Sequence, residues 1–169
     1  LAVSQSSFTC SNLGSNSVTL TVTGNDGNTA TCLATVTVVD STAPATVCQN
    51  ATVFLNGSGN ATIASGQLDG GSSDNCGSIS LAASQSSFTC ANVGANAVTL
   101  TVTDNSGNSA FCTSIVTVID STAPTAICQN IAVDLNGGPS VTVSPSQVDN
   151  GSSDACGIQS LSLSDTSFT

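Results

Sequence analysis

Val98-Thr99-Leu100-Thr101-Val102-Thr103, then Asp104-Asn105-Ser106-Gly107-Asn108, then Cys112, Ser114, Val116 and Val118 at every second position: this stretch decides the fold. Alternation of apolar residues with Thr puts one set of side chains on each face of an extended strand, the mark of a half-buried β-strand. Segment 104–108, rich in Gly and Asn, supplies the positive φ angles that a tight reversal needs. The two halves therefore read as a hairpin. The same hairpin is written a second time, as Val18-Thr19-Leu20-Thr21-Val22-Thr23, Gly24-Asn25-Asp26-Gly27-Asn28, and Cys32, Ala34, Val36 and Val38.

The offset between the copies is 80 residues, and it runs through the whole chain. Residues 1–80 laid on 81–160 without a gap give 48 identities, aligning Phe8 with Phe88, Cys10 with Cys90, Cys32 with Cys112, Cys48 with Cys128 and Cys76 with Cys156. Surface loops ordinarily accept insertions at small cost, so divergence without a single insertion implies that the length itself is constrained. A regular array of repeats imposes that constraint. Asp-Ser-Thr-Ala-Pro at 40–44 and 120–124 reads as a junction, with Pro44 and Pro124 holding the preceding residue extended. The expected organisation is the C-terminal half of one repeat at 1–40, a complete repeat at 41–120 and the N-terminal half of the next at 121–169. In the complete repeat a first strand is expected over about 46–55, a short one at 61–63, a long loop over 64–77, and two short strands near 78–83 and 86–89. About seven short strands with no helical period predict an all-β fold of tandem Ig-like β-sandwich repeats.

Composition removes whole classes of function. The 169 residues include no Lys, Arg or His, and the ten acidic residues are all Asp, giving a formal charge of −10. Phosphate backbones and anionic lipid surfaces need cations that are absent, so no nucleic-acid partner and no membrane insertion are expected. Ser-His and Cys-His nucleophiles lack their base, and P-loops lack their Lys. A pair of Asp carboxylates is the remaining catalytic device, but no Glu, Trp, Tyr, Met or His stands by to shape such a site. No enzyme is expected. A hydrophobic fraction of 39% predicts a packed core rather than a disordered acidic tail.

Eight Cys at regular spacing, with no His to share a zinc ion, read as disulfides in an oxidising compartment, extracellular or at the cell surface. The complete repeat holds Cys48, Cys76, Cys90 and Cys112, which allow three connectivities. Parallel pairing of first and last strands, common in Ig-like sandwiches, brings Cys48 level with Cys112 and leaves Cys76 for Cys90. Cys10, Cys32, Cys128 and Cys156 are then expected to find partners outside the chain; the competing arrangement bridges neighbouring repeats, for instance Cys32–Cys48. One parity problem remains: Ile131, Val133 and Leu135 lie on the face opposite to Cys128, so a bulge or strand switch is needed near Gln129–Asn130.

Taken together, Asp-Ser-Thr-Ala-Pro, Cys-Gln-Asn, Ser-Ser-Asp-(Asn/Ala)-Cys-Gly, Val-Thr-Leu-Thr-Val-Thr-Asp-x-x-Gly-Asn and a final Cys before Val-Thr-Val-x-Asp resemble the hyalin-repeat (HYR-like) domains strung in arrays on secreted surface proteins of Bacteroidota. The resemblance covers the whole chain; Gly24 departs from the motif, which has Asp104 in the second copy. It implies an Ig-like fold and a role in extracellular filaments, stalks or adhesion. The expected function is a structural repeat of such a filament, stalk or adhesin, glycosylated and without catalysis, its partners being adjacent copies of the repeat and covalent glycans. The alternative is a carbohydrate- or protein-binding adhesin module, which the shortage of aromatic residues disfavours.

Several residues are candidates for local chemistry. No cofactor is required, and Ca²⁺ is the ion that Asp40 and Asp120 at the junctions, with Asp74 and Asp154 in the long loop, would take; turn capping by the same side chains is the more economical reading. Asp-Ser-Thr at both junctions is similar to an O-glycosylation acceptor pattern of Bacteroidota, which implies Ser41 and Ser121. The N-glycosylation sequons at Asn50, Asn56, Asn60 and Asn150 are no more numerous than chance supplies in a chain so rich in Asn, Ser and Thr.

Overall fold

A computed structural model describes all 169 residues. The fold is mostly β, with 42% of residues in strands and 8% in helix. In chain order the strands are β1 (Ala2–Val3), β2 (Gly14–Thr23), β3 (Thr29–Val38), β4 (Ala51–Phe54), β5 (Asn60–Thr62), β6 (Ile79–Ala83), β7 (Ser87–Thr89), β8 (Gly94–Asp104), β9 (Ser109–Ile119), β10 (Val141–Thr142) and β11 (Ser167–Phe168). Helix is confined to 3₁₀ turns at Cys10–Asn12, Ser65–Leu68 and Cys90–Asn92 and one α-turn, α1 (Pro145–Val148). No helix is long and apolar enough to cross a membrane.

The two hairpins form as their alternation dictates. β2 pairs with β3 in an antiparallel ladder from Gly14↔Val38 to Thr23↔Thr29, and β8 and β9 are neighbours in a four-stranded sheet ordered β4-β9-β8-β6. Gly27 and Gly107, both with positive φ, close the two turns. In β8 and β9 the inward set Val98, Leu100, Val102, Ser114, Val116 and Val118 is buried, and the intervening Thr99, Thr101, Thr103 and Thr117 are half-buried. Burying a Val or Leu side chain contributes about 1.5–3 kcal/mol each, so this stripe is the main apolar contribution of the hairpin. Ser114, the one polar member, directs its hydroxyl to the Leu68 carbonyl oxygen at 3.4 Å.

The first strand is shorter than the expected 46–55, and its shortening resolves the parity problem. Cys48 bridges Asp69 in the loop, and the Gln49 N–H donates to the Leu68 carbonyl. From Ala51 the chain changes partner and runs parallel to β9, Ala51↔Val116 through Phe54↔Ile119. The switch falls at Gln49–Asn50, which puts both Cys48 and the later Val53 and Leu55 on productive faces. At offset 80 the loop side of this arrangement recurs, with Cys128 bridging Asp149 and the Gln129 N–H donating to the Val148 carbonyl. β5 and β7 form a separate antiparallel pair, as do β10 and β11.

Backbone proximity divides the chain into two compact units. One comprises residues 1–50, 64–84 and 98–114, and the other 51–63, 85–97 and 115–169. The first holds the disulfides Cys10–Cys76 and Cys48–Cys112, and the second holds Cys90–Cys156. Each unit takes residues from either side of one of the expected junctions, the first at 40 and the second at 120.

Candidate functional site

The chemistry of this chain is concentrated in its sulfurs and carboxylates. Cys48 and Cys112 are bonded, with a Cα–Cα separation of 5.9 Å; the parallel β4–β9 pairing, which starts at Ala51, brings the preceding Cys48 up to β9. The expected Cys76–Cys90 bridge does not form. Cys76 bonds Cys10 and Cys90 bonds Cys156, so Cys10 and Cys156 have their partners inside the chain. The reason lies in the strand pairing. Segment 78–89 is not a hairpin closing on itself: β6 pairs with β8 and β7 with β5. Cys76 is therefore carried to the β8–β9 turn, where Ser78 meets Asn105 at 3.3 Å, and Cys90 follows the strand end where Thr89 pairs with Asn60.

The Cys10–Cys76 and Cys90–Cys156 bridges are built alike. On one side a 3₁₀ turn begins at the cysteine, held by an Asn side chain: the Thr9 N–H donates to Asn12 Oδ1 at 3.0 Å and the Thr89 N–H to Asn92 Oδ1 at 2.9 Å. On the other, an Asp caps the cysteine's backbone: Asp74 Oδ2 accepts the Cys76 N–H at 2.7 Å and Asp154 Oδ1 accepts the Cys156 N–H at 2.8 Å. Cα–Cα separations are 5.0 and 5.1 Å. Cys32 and Cys128 are free and exposed. They occupy the repeat positions of Cys112 and Cys48.

Of the four expected metal-binding carboxylates, Asp40 and Asp74 are brought together, as are Asp120 and Asp154. Asp104 joins the first pair, and oxygens of Asp40, Asp74 and Asp104 lie within 4.8 Å of one another. In the sequence Asp104 is marked only as a turn residue. It is one: Oδ1 accepts the Ser106 and Asn108 N–H groups at 2.9 and 2.8 Å, and Oδ2 accepts Asn108 Nδ2 at 2.8 Å. Burial raises the Asp104 pKa, but these bonds outweigh it and hold the group below the ordinary carboxylate range. Capping also holds at Asp40 and Asp120, each accepting a Thr N–H two residues on. Yet Asp40 Oδ2, Asp74 Oδ1 and Asp154 Oδ2 are shielded from solvent with no hydrogen-bond partner. Capping accounts for one oxygen of each and leaves the other over.

Ser41 and Ser121 are exposed beside these carboxylates in sequence. Asn50, Asn56, Asn60 and Asn150 are exposed too, with the Asn56 side chain accepting the Ser58 and Asn60 N–H groups of its own turn. Compared with models of known protein families and with curated protein sequences, the chain matches none. Its three disulfides fit an oxidising compartment rather than the reducing cytosol.

Proposed function

We propose that the chain is a non-catalytic structural stretch of an extracellular array of HYR-like, Ig-like repeats, whose partner is the neighbouring copy of the same repeat. One observation carries this reading: residues 1–40 copy 81–120, residues 121–169 copy 41–89, and the segment 41–120 is the template for how the two copies fit. In residues 41–120, β4 lies parallel to β9 with Cys48 bonded to Cys112. β3 is the copy of β9 and has β2 as its only strand neighbour, and its Cys32 is free. Segment 131–135 is the copy of β4 and pairs with no strand, and its Cys128 is free.

The apolar faces support the same fit. An open groove is lined by Ile131, Val133, Val143, Val148, Leu163 and Phe168. Val133 is 42% exposed where its counterpart Val53 is 9%, and Phe168 is 46% exposed where Phe88 is 1%. What such a groove lacks is a hairpin like β8–β9, and β2–β3 of a neighbour is that hairpin. Transposing the observed register places Ile131 opposite Val36 and Val133 opposite Val38, with Cys128 beside Cys32. The bridges Cys10–Cys76 and Cys90–Cys156 already pass from one repeat to the next across residues 40 and 120. A stalk or filament needs such covalent continuity. Glycans on the exposed Ser41 and Ser121 belong to the same reading.

The test is assembly of the 169-residue chain in an oxidised/reduced glutathione buffer containing EDTA. Two thiols and one oxidised glutathione give one interchain disulfide and two reduced glutathiones. The expected product is a ladder of multimers on a non-reducing gel, with a Cys32–Cys128 cross-linked peptide by mass spectrometry and loss of the ladder in Cys32→Ser. A monomer in which both thiols end as mixed disulfides with glutathione refutes the reading, as does pairing of Cys32 with Cys32.

A further inference from the structure

We propose that Asp40, Asp74 and Asp104 bind a calcium ion at the junction between repeats. The proposal goes beyond the array reading, since strand exchange between neighbours needs no metal.

Three features converge on a cation. The first is spacing. Ca²⁺ takes carboxylate oxygens at 2.3–2.6 Å, so ligands on opposite sides of the ion stand about 4.8 Å apart and adjacent ones closer. The three Asp oxygens fall within that limit. The second is an unmet need. Asp40 Oδ2 and Asp74 Oδ1 are both shut off from solvent and receive no hydrogen bond, and Asp104 is 7% exposed. A buried, unpaired carboxylate oxygen is costly to desolvate, and both of these belong to carboxylates of the same cluster. The third is the absence of any other counter-charge, because the chain has no Lys, Arg or His.

The local frame is already set for the ion. Asp40 Oδ1 is engaged by the Thr42 N–H, Asp74 Oδ2 by the Cys76 N–H, and Asp104 by the 104–108 turn. Each carboxylate is thus held by its own loop. Asn108 adds a direct tie, its Nδ2 donating both to Asp104 and to the Asp40 carbonyl at 3.2 Å. Asp40 comes from the junction, whereas Asp74 and Asp104 come from loops of the repeat that follows it. An ion among them would lock the junction to that repeat. Part of the pattern recurs at offset 80: Asp120 and Asp154 approach each other and Asp154 Oδ2 is again unpartnered. No third carboxylate completes that group, since Cys156 is in a disulfide.

Calcium titrated calorimetrically into the oxidised, chelator-treated chain tests the proposal. The expected result is one ion per chain with Kd on the order of 1 mM or tighter, the range of extracellular calcium modules, and a rise in melting temperature with calcium concentration. Asp74→Asn and Asp104→Asn keep a side-chain oxygen for the capping bonds while removing the charge. Each should weaken binding at least tenfold with all three disulfides intact by mass, whereas Asp134→Asn leaves binding unchanged. Absence of saturable binding at 10 mM calcium overturns the proposal. So does unchanged affinity in both variants, or two equivalent ions per chain, which would make Asp104 dispensable. Because assembly through Cys32 and Cys128 is measured in EDTA, either proposal can fail without the other.

Discussion

Gly59 shows how much a single position can carry. Its φ is +72°, and a Cβ built there stands 2.6 Å from Cys90 Sγ and 3.5 Å from the Ala155 carbonyl oxygen. Gly59→Ala therefore combines a left-handed backbone with a collision against a bridged sulfur, at a cost of roughly 2 kcal/mol or more. Gly57→Ala, with nothing within 4 Å and no positive φ, is the matched control and should melt with the parent. At offset 80 the position is Pro139, and that turn instead uses Asn136 at φ 51° and Gly137 at φ 77°. Charge at single residues sets the acid limit. The Ser72 side chain close by, and its backbone N–H donating to Asp69 Oδ1 at 2.9 Å, hold the Asp69 pKa below the ordinary range, and Ser152 does the same for Asp149. A folded-state pKa below the unfolded one contributes stability that is complete above about 3.9 and is lost as pH falls through the folded value. Ser72→Ala should accordingly be less stable than the parent at neutral pH; the part due to Asp69 shrinks toward pH 2, and the part due to the lost acceptor for the Val47 N–H stays constant. Denaturant titrations at both pH values measure the two parts.

At the level of elements, the hairpins were legible because their signal is local: Val-Thr alternation around a Gly-Asn turn needs no knowledge of distant partners. The bridges were legible only where strand pairing could be guessed. Cys48–Cys112 follows from parallel first and last strands, whereas the sequence nearness of Cys76 and Cys90 misled, because β6 and β7 choose different partners. The carboxylate cluster was half visible. Asp40 and Asp74 stood out as copied at Asp120 and Asp154, but the first copy of Asp104 is Gly24, so the third member carried no repeat signal. The Cys48–Cys112 bridge closes a span with a sequence separation of 64, for which loop-closure entropy gives roughly 4 kcal/mol. The double variant Cys48→Ser, Cys112→Ser should lose about that much in urea unfolding while keeping the other two disulfides. A loss under 1 kcal/mol would mean that the strand pairing holds without the bond.

On the scale of the whole molecule, the bridges define the shortest covalent route from end to end. It runs along residues 1–10, crosses to Cys76, follows the chain to Cys90, and crosses to Cys156. Fully stretched at about 3.4 Å per residue, the oxidised chain should reach roughly 120 Å, against roughly 570 Å when reduced. Single-molecule pulling between the termini, with and without reductant, reads both lengths. Equal lengths would show that these bonds do not bear load.

The three disulfide-closed spans, 10–76, 48–112 and 90–156, also overlap in succession, each opening before the last has closed. Any one backbone cut between residues 10 and 156 is consequently spanned by at least one sulfur bridge, and an endopeptidase that nicks the chain there releases no fragment. Trypsin-like enzymes have no Lys or Arg to recognise. Parting the chain at a single cut between residues 10 and 156 takes a reductant as well as a protease.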